Sequence, residues 1–241
     1  MWGIAVNGVL ESDDCVRPAR VLVVGGSPQA SSAELIRSLA RGVDGVVAVD
    51  HGLDAVLAAG MDCDLFCGDA DSVGEIASAL VRACELGEAV PAGACLVRAV
   101  ERYDPHKDFT DLSLALRAVG ERWPRADLVC TCMTGGRPDH ALAVIGQLVS
   151  WRRGRVHVFE DGLRAFVLHE RESESLSGCV GRTFSFVPIA PGCVVSECGM
   201  RWNLDCKPVE LLSDLGISNV IESTDACIIC HAGTLIAWCM L

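Results

Sequence analysis

Six aspartates fall in four short polar segments of this 241-residue chain: Asp50-His51-Gly52, Gly68-Asp69-Ala70-Asp71-Ser72, Lys107-Asp108-Phe109-Thr110-Asp111 and Gly135-Gly136-Arg137-Pro138-Asp139-His140. Carboxylates at i and i+2 in a loop, as at Asp69 and Asp71, can converge on one hard cation. Mg²⁺ takes one or two carboxylates and completes its shell with phosphate oxygens and water. Such a cation bridges nucleotide oxygens and offsets the charge that develops as a phosphoryl group moves. Aspartate and serine also favour turns and helix N-termini in any protein, and Ser72 reads equally well as a helix cap. That bland reading leaves the repetition unexplained, because several carboxylates at one sheet edge repel one another unless cations compensate. Lys107 and Arg137 are the cations nearest in sequence. Arg137 follows two glycines and precedes a helix, where backbone N–H groups, the helix dipole and a guanidinium together suit a phosphate. Gly25-Gly26, also ahead of a helix, is a weaker signal of the same kind, and is neither a Walker A sequence nor the dinucleotide fingerprint.

The elements that must position these residues follow from periodicity. Residues 19–26 are an apolar run ending in two glycines, followed by a helical pattern through Leu35, Ile36 and Leu39. The unit repeats: a strand over 45–49 ends at Asp50, a short helix covers 53–59, and a strand over 65–67 ends at Gly68-Asp69. Acidic residues therefore recur just beyond strand ends. Ser72 and Glu75 have capping-box spacing ahead of Ile76, Leu80 and Val81. Residues 94–100 read as a strand. Thr110 can cap a helix that buries Leu112, Ala115, Leu116 and Val119, 128–133 is another strand, and Pro138 suits the first turn of a helix over 139–149.

Alternation of this kind indicates a parallel α/β sheet whose ligands collect at the carboxyl ends of its strands. After Trp151 the texture changes to short runs at 156–159, 165–168, 183–187, 193–197 and 226–230, separated by glycine, proline and serine. The expected fold class is α/β. A Rossmann-like parallel catalytic domain spans residues 1–152, and a C-terminal antiparallel β-sandwich domain spans 153–241.

Bulk properties narrow the partners. A net charge of −12 and a pI near 4.9 argue against nucleic acid or an anionic membrane held by bulk electrostatics, so phosphate chemistry must be local. Residues 1–14 lack a basic n-region and no run approaches a membrane span, which points to a cytoplasmic protein. Most of the fourteen cysteines lie in apolar runs and read as buried thiols. Cys227-Ile228-Ile229-Cys230-His231 spells the c-type haem attachment pattern but is set aside for want of an export signal. Cys130 and Cys132 have the spacing of one strand face, with no second pair at finger-like spacing to complete a zinc site.

Taken in order, the segments resemble the thiamine pyrophosphokinase family over nearly the whole chain. The family's GDxDS element stands at Gly68 to Ser72, its KDxTD element at Lys107 to Asp111 and its GGRxDH element at Gly135 to His140. The C-terminal region resembles the family's thiamine-binding domain through Gly199-Met200-Arg201-Trp202-Asn203-Leu204 and Ser218-Asn219. The resemblance implies transfer of the pyrophosphoryl group of ATP to the thiamine hydroxyl, giving AMP and thiamine diphosphate. It implies Mg²⁺ at Asp69, Asp71 and Asp111, with Asp139 joining them in catalysis. ATP is expected at Gly25, Asp50, Lys107, Asp108, Thr110 and Arg137, and thiamine at Trp202, Ser218 and Asn219. It also implies a homodimer with the active site between subunits. A flat tryptophan suits stacking on a heterocycle, and asparagine offers a donor and an acceptor to ring nitrogens. The family usually has Asp-Gly-Gly where this chain has Asp50-His51-Gly52. A β-carbon at position 51 restricts positive φ, and the imidazole is expected to crowd or contact a ligand. That departure motivates a second reading, a pyrophosphokinase for another heterocyclic alcohol such as a pterin or thiamine analogue; a third reading is a non-enzymatic thiamine sensor.

Overall fold

A computed structural model describes residues 17–103 and 108–241, so Lys107 and the first residues lie outside the described part. The N-terminal half alternates as read: β1 (Ala19–Val24), α1 (Ala33–Leu39), β2 (Gly45–Val49), α2 (Gly52–Ala58), β3 (Leu65–Gly68), α3 (Glu75–Leu86), β4 (Val100–Arg102), α4 (Asp111–Arg122), β5 (Ala126–Thr131), α5 (Pro138–Ser150) and β6 (Val156–Glu160). Strands β6, β5, β1, β2, β3 and β4 pair in parallel in that spatial order. Central strand β1 is buried on both faces, as a parallel strand between helical layers must be. Val21 and Val23 pack with α4 residues Leu112, Ala115 and Val119, whereas Leu22 and Val24 pack with Ile36, Leu53 and Val81 of the helices opposite. Each such side chain contributes about 1.5–3 kcal/mol on burial.

The C-terminal half holds β7 (Leu163–His169), β8 (Glu172–Ser175), β9 (Thr183–Pro188), β10 (Cys193–Cys198), β11 (Leu204–Val209), β12 (Asn219–Val220), β13 (Cys227–Ala232) and β14 (Thr234–Met240). Four of these extend the parallel sheet. β7 pairs antiparallel with β6, and β14, β9 and β12 follow, making one ten-stranded sheet. The remaining four form a separate antiparallel sheet in the order β11-β10-β13-β8. Phe166, Phe184, Phe186, Val195, Ile228 and Leu235 fill the space between the two layers, so the expected sandwich is present and shares one sheet with the α/β half. The division drawn after residue 152 falls between α5 and β6, and β6 pairs in parallel with β5.

Several local expectations are corrected. The strand read over 94–100 begins only at Val100, because the preceding segment is tied to the loop before β3 instead, with Cys63 N donating to Leu96 O and Arg98 N to Cys63 O. Ser72 does not cap α3: the helix begins at Glu75 after Gly74, whose N–H donates to the Asp54 carboxylate. Cys130 and Cys132 face opposite cores, since β5 ends at Thr131 and Cys132 turns to φ 57°. The haem-like spelling lies along β13, where Cys230 is fully buried.

Candidate active site

The carboxyl ends of β1, β2, β3 and β5 meet through short, crowded loops. Gly25 N donates to Thr131 O at 2.9 Å and Ser27 N to Cys132 O at 3.1 Å, which brings the β1 and β5 loops together where the strand order reverses. A β-carbon on Gly25 would lie 2.5 Å from Cys132 O, so the glycine permits this approach. Its N–H, expected to face a nucleotide, is already engaged by Thr131.

Three non-glycine residues at these strand ends hold positive φ: Asp50 at 47°, Ala70 at 62° and Cys132 at 57°. Such backbone costs of order 1–3 kcal/mol per residue and clusters where geometry serves a site. Asp50 N donates to Cys67 O at 3.0 Å, and the Asp50 carboxylate lies over Gly68 so closely that a β-carbon there would sit 2.1 Å from Oδ1. Asp69 Oδ1 accepts the N–H of Asp71 at 3.1 Å, and Arg102 donates to the Asp69 carbonyl from Nε and Nη2 at 3.3 and 3.2 Å. The acidic loop is thus a self-bonded turn braced from β4.

Asp111 opens α4, with Thr110 as its N-cap accepting Ser113 N, and the helix packs on β2 and β3. Asp108 is exposed before it. Arg137 precedes Pro138 at the start of α5 as expected. Its guanidinium is bidentate to Asp139, with Nε to Oδ1 at 3.1 Å and Nη2 to Oδ2 at 2.6 Å. That guanidinium holds the Asp139 carboxyl down to about 2. The two candidates therefore engage each other, and both are exposed.

His51 adopts φ −53° as the residue before α2. The position needing positive φ is Asp50, so the β-carbon of His51 meets no backbone conflict. The imidazole turns toward its own protein: Nδ1 lies 3.0 Å from Asp54 Oδ2 and 3.2 Å from Ser72 O.

Asp69, Asp71, Asp50 and Asp111 all belong to the β2, β3 and α4 corner. Among the described residues, no three histidine, cysteine, aspartate or glutamate side chains converge at metal-holding distance. The donor set still fits Mg²⁺, which draws one or two ligands from protein carboxylates and the rest from phosphate and water.

Sequence reasoning missed Glu160, at the end of β6. Its Oε1 accepts Met133 N at 2.7 Å and Thr134 N at 3.1 Å, while Oε2 accepts Cys132 N at 2.9 Å and the Ser31 hydroxyl. Asp161 accepts both the N–H and the hydroxyl of Ser32, the cap of α1. Two adjacent acids thus fix the loops that approach each other above β1 and β5. The signal was available, because Glu160 follows an apolar run just as Asp50 and Asp69 do.

The thiamine candidates lie elsewhere, near β12. Trp202 is 60% exposed, with the Arg201 guanidinium 5.7 Å from its ring centroid, so it is not a core residue. Ser218 is exposed at φ 61°, its N–H donating to Ser185 Oγ. Asn219 is buried, and its amide oxygen accepts Trp202 N at 3.2 Å while Nδ2 donates to Trp202 O at 2.8 Å.

Comparison with known proteins agrees with this arrangement. The family description "Thiamin pyrophosphokinase, catalytic domain" matches residues 36–159, and "Thiamin pyrophosphokinase, vitamin B1 binding domain" matches residues 168–235. The fold is similar to that of thiamine pyrophosphokinase from Bacillus subtilis, with a TM-score of 0.71 and 23% identity, covering 92% of this chain and 98% of that one. It is also similar to thiamin pyrophosphokinase from Candida albicans, with a TM-score of 0.72 and 14% identity, covering 93% and 90%. The yeast enzyme gives a TM-score of 0.71 at 12% identity, covering 93% of this chain and 87% of that one. No curated protein sequence matches the chain. With both domains matched in order on the strands and loops just described, the chain belongs to the thiamin pyrophosphokinase family.

Proposed function

We propose that the protein is a cytoplasmic, Mg²⁺-dependent thiamine pyrophosphokinase that acts as a homodimer on ATP and thiamine. The observation that carries this reading is the meeting of Asp50, Asp69 and Asp71 at the carboxyl ends of β2 and β3, in a chain that also presents an exposed tryptophan on a separate β layer. The thiamine hydroxyl oxygen bonds to the β-phosphorus of ATP. The bond from that phosphorus to the oxygen bridging the α-phosphorus breaks, AMP leaves, and the hydroxyl proton is released.

Asp69 and Asp71, with Asp111, would hold Mg²⁺, which when bound neutralises charge on the polyphosphate. Asp50 and Asp108 border the nucleotide, and the N-terminus of α5, Arg137 and Lys107 attract its phosphates. Thr110 fixes the start of the helix that carries Asp111. Asp139 orients Arg137 and releases it as phosphate takes its place. Preorganised charge and positioning supply most of the acceleration in chemistry of this kind.

Distance supports the dimer. Trp202 adjoins β12, since Arg201 N donates to Val220 O, and β12 is eight strand steps from β3 in the ten-stranded sheet. At ~4.8 Å per step the path across the sheet from β12 to β3 is about 38 Å, far longer than one thiamine. A second copy supplies the missing half in each direction. Leu211, Leu212, Leu215 and Ile217 expose apolar side chains beside Ser218, as a surface covered by another subunit does. Trp202 and Ser218 are the contacts for the heterocycle, and Asn219 serves by holding Trp202.

The test is AMP release across a panel of alcohols. Release should require both thiamine and Mg²⁺, and folded protein that releases AMP only with another alcohol would reassign the acceptor. The reading of a different heterocyclic alcohol drew on His51, whose ring is occupied by Asp54 and Ser72, and no other observation favours it. A sensor has no need of the acidic corner, and calorimetry showing thiamine binding without ATP binding would revive that reading.

A further inference from the structure

Behind the exposed Trp202 lies a buried acid that the chemistry above leaves unused. Glu197, near the end of β10, is 1% exposed. Its Oε2 accepts from Asn219 Nδ2 at 3.2 Å, and its Oε1 is buried with no hydrogen-bond partner. The Asn219 amide is fully committed. Nδ2 donates to Glu197 and to Trp202 O, while Oδ1 accepts Trp202 N at 3.2 Å and Val220 N at 2.9 Å. One side chain therefore holds both backbone polar groups of Trp202.

An amide can hold a backbone in this way only in one orientation. An ionised carboxylate is acceptor-only, so it dictates that Nδ2 faces Glu197 and Trp202 O. Reversing the amide would set Oδ1 against the carboxylate and a carbonyl, and Nδ2 against two N–H groups. An apolar residue at 197 would impose no such choice and would leave a buried N–H without a partner.

We propose that Glu197 is a positioning residue of the heterocycle site, fixing the Asn219 amide and through it the Trp202 platform, so that it sets affinity for the alcohol substrate without touching it. The inference rests on the reading of Trp202 as the surface that receives thiamine. Burial raises the Glu197 carboxyl to about 7 against the lowering effect of the Asn219 amide, so its ionisation falls in the physiological range. The other charged or titratable groups on the surrounding elements are Cys193 and Cys198 on β10, Asp205, Cys206 and Lys207 on β11, Cys227, Cys230 and His231 on β13, and the pair of Arg201 with Glu222 after β12, 2.8 Å apart. A protonated Glu197 no longer opposes the reversed amide, which then has only the Trp202 and Val220 backbone groups against it, so the platform is best defined above pH 7.

Glu197→Gln and Glu197→Leu test this, with amide exchange at Trp202 N–H and steady-state kinetics as readouts. In wild type, KM for thiamine should fall as pH rises from 6 to 8. Glu197→Gln, neutral like the protonated acid and equally unable to dictate the Asn219 orientation, should lose that pH dependence and hold KM near the wild-type value at pH 6. Glu197→Leu should raise KM for thiamine about tenfold, the worth of one hydrogen bond of about 1.4 kcal/mol, with KM for ATP and saturating kcat within twofold. Exchange at Trp202 should quicken at least tenfold in the leucine variant alone. Unchanged exchange and unchanged thiamine KM in that variant would overturn the proposal, as would a parallel loss of ATP affinity. Wild-type protein that releases no AMP with thiamine sinks the functional reading instead, and the exchange measurement still decides what Glu197 does.

Discussion

His51 Nδ1 lies 3.0 Å from Asp54 Oδ2, and together the two residues tie the start of α2 to the loop carrying Asp69 and Asp71. The same histidine nitrogen reaches Ser72 O, and the same carboxylate accepts Gly74 N at 2.9 and 3.1 Å, so two residues from one helix turn grip both ends of a three-residue span. Asp54 in effect caps α3 from another element. Asp54→Ala should lower stability by about 1 kcal/mol, the usual cost of a lost cap, and raise KM for MgATP several-fold. Urea denaturation and kinetics check both, and His51→Ala should show a weaker form of the same pattern.

Asp71 is exposed, and it is its backbone N–H that closes the turn on Asp69. Asp71→Ala should lower kcat by at least about a thousandfold while stability shifts by less than ~0.5 kcal/mol, as for an ordinary surface substitution. Retained turnover would remove Asp71 from the metal site.

Gly68 is required by contact rather than by flexibility. A β-carbon there would lie 2.1 Å from Asp50 Oδ1, so Gly68→Ala must push the carboxylate aside. A misplacement of about 1 Å near the reacting groups can cost on the order of a hundredfold in rate. We expect a loss of that size in kcat with a cooperative thermal transition preserved, and a structure of the variant should find Asp50 moved.

If the site is built from two copies, inactive partners should rescue each other. Asp71→Ala and Trp202→Ala proteins, each inactive alone, form heterodimers on mixing that contain one intact site. Random exchange makes half of the dimers heterodimers, so activity should recover to about one quarter of wild type. No recovery after verified subunit exchange would place the complete site within a single chain.

Glu197 also shapes stability against pH. Its folded value, about 7, lies above the ordinary 4.5, so the native state holds the proton more tightly than the unfolded chain. Stability from this group is fully present below pH 4.5 and declines as pH rises to 7, by an amount on the order of 3 kcal/mol. Glu197→Gln should remove the decline and leave the variant more stable than wild type at pH 8. Denaturation midpoints at pH 5 and 8 decide it.

Much of the α/β half was legible because its signals are local and repeated. The apolar run of β1, the Thr110 cap and Pro138 in the first turn of α5 each state their element without reference to the rest of the chain. Two of the missed strands, β8 and β11, lack such signals, whereas β14, Thr-Leu-Ile-Ala-Trp-Cys-Met, is an apolar run that was passed over. β8 reads Glu-Ser-Glu-Ser, and β11 carries a lysine and a proline, because both lie in the small outer sheet with one face to solvent. Asp54 as the cap of α3, and Glu160 and Glu197 as braces, depend on contacts across long stretches of chain, from 20 residues to more than 100. Ser72 was misread for the same reason: its local spacing was right, but a carboxylate from another helix had the better geometry.

The ten-stranded sheet runs without interruption from β12 to β4. Hydrogen-bonded ladders cross the place where the two halves of the chain meet, at β6 and β7, so these halves cannot swing together like jaws around a substrate. Whatever closes over the nucleotide must be a loop, such as the one bearing Arg137, or the arrival of another copy. If the proposed dimer forms the site, assembly takes over the task that hinge bending performs in two-domain kinases, and the concentration of the protein becomes a control on its own activity.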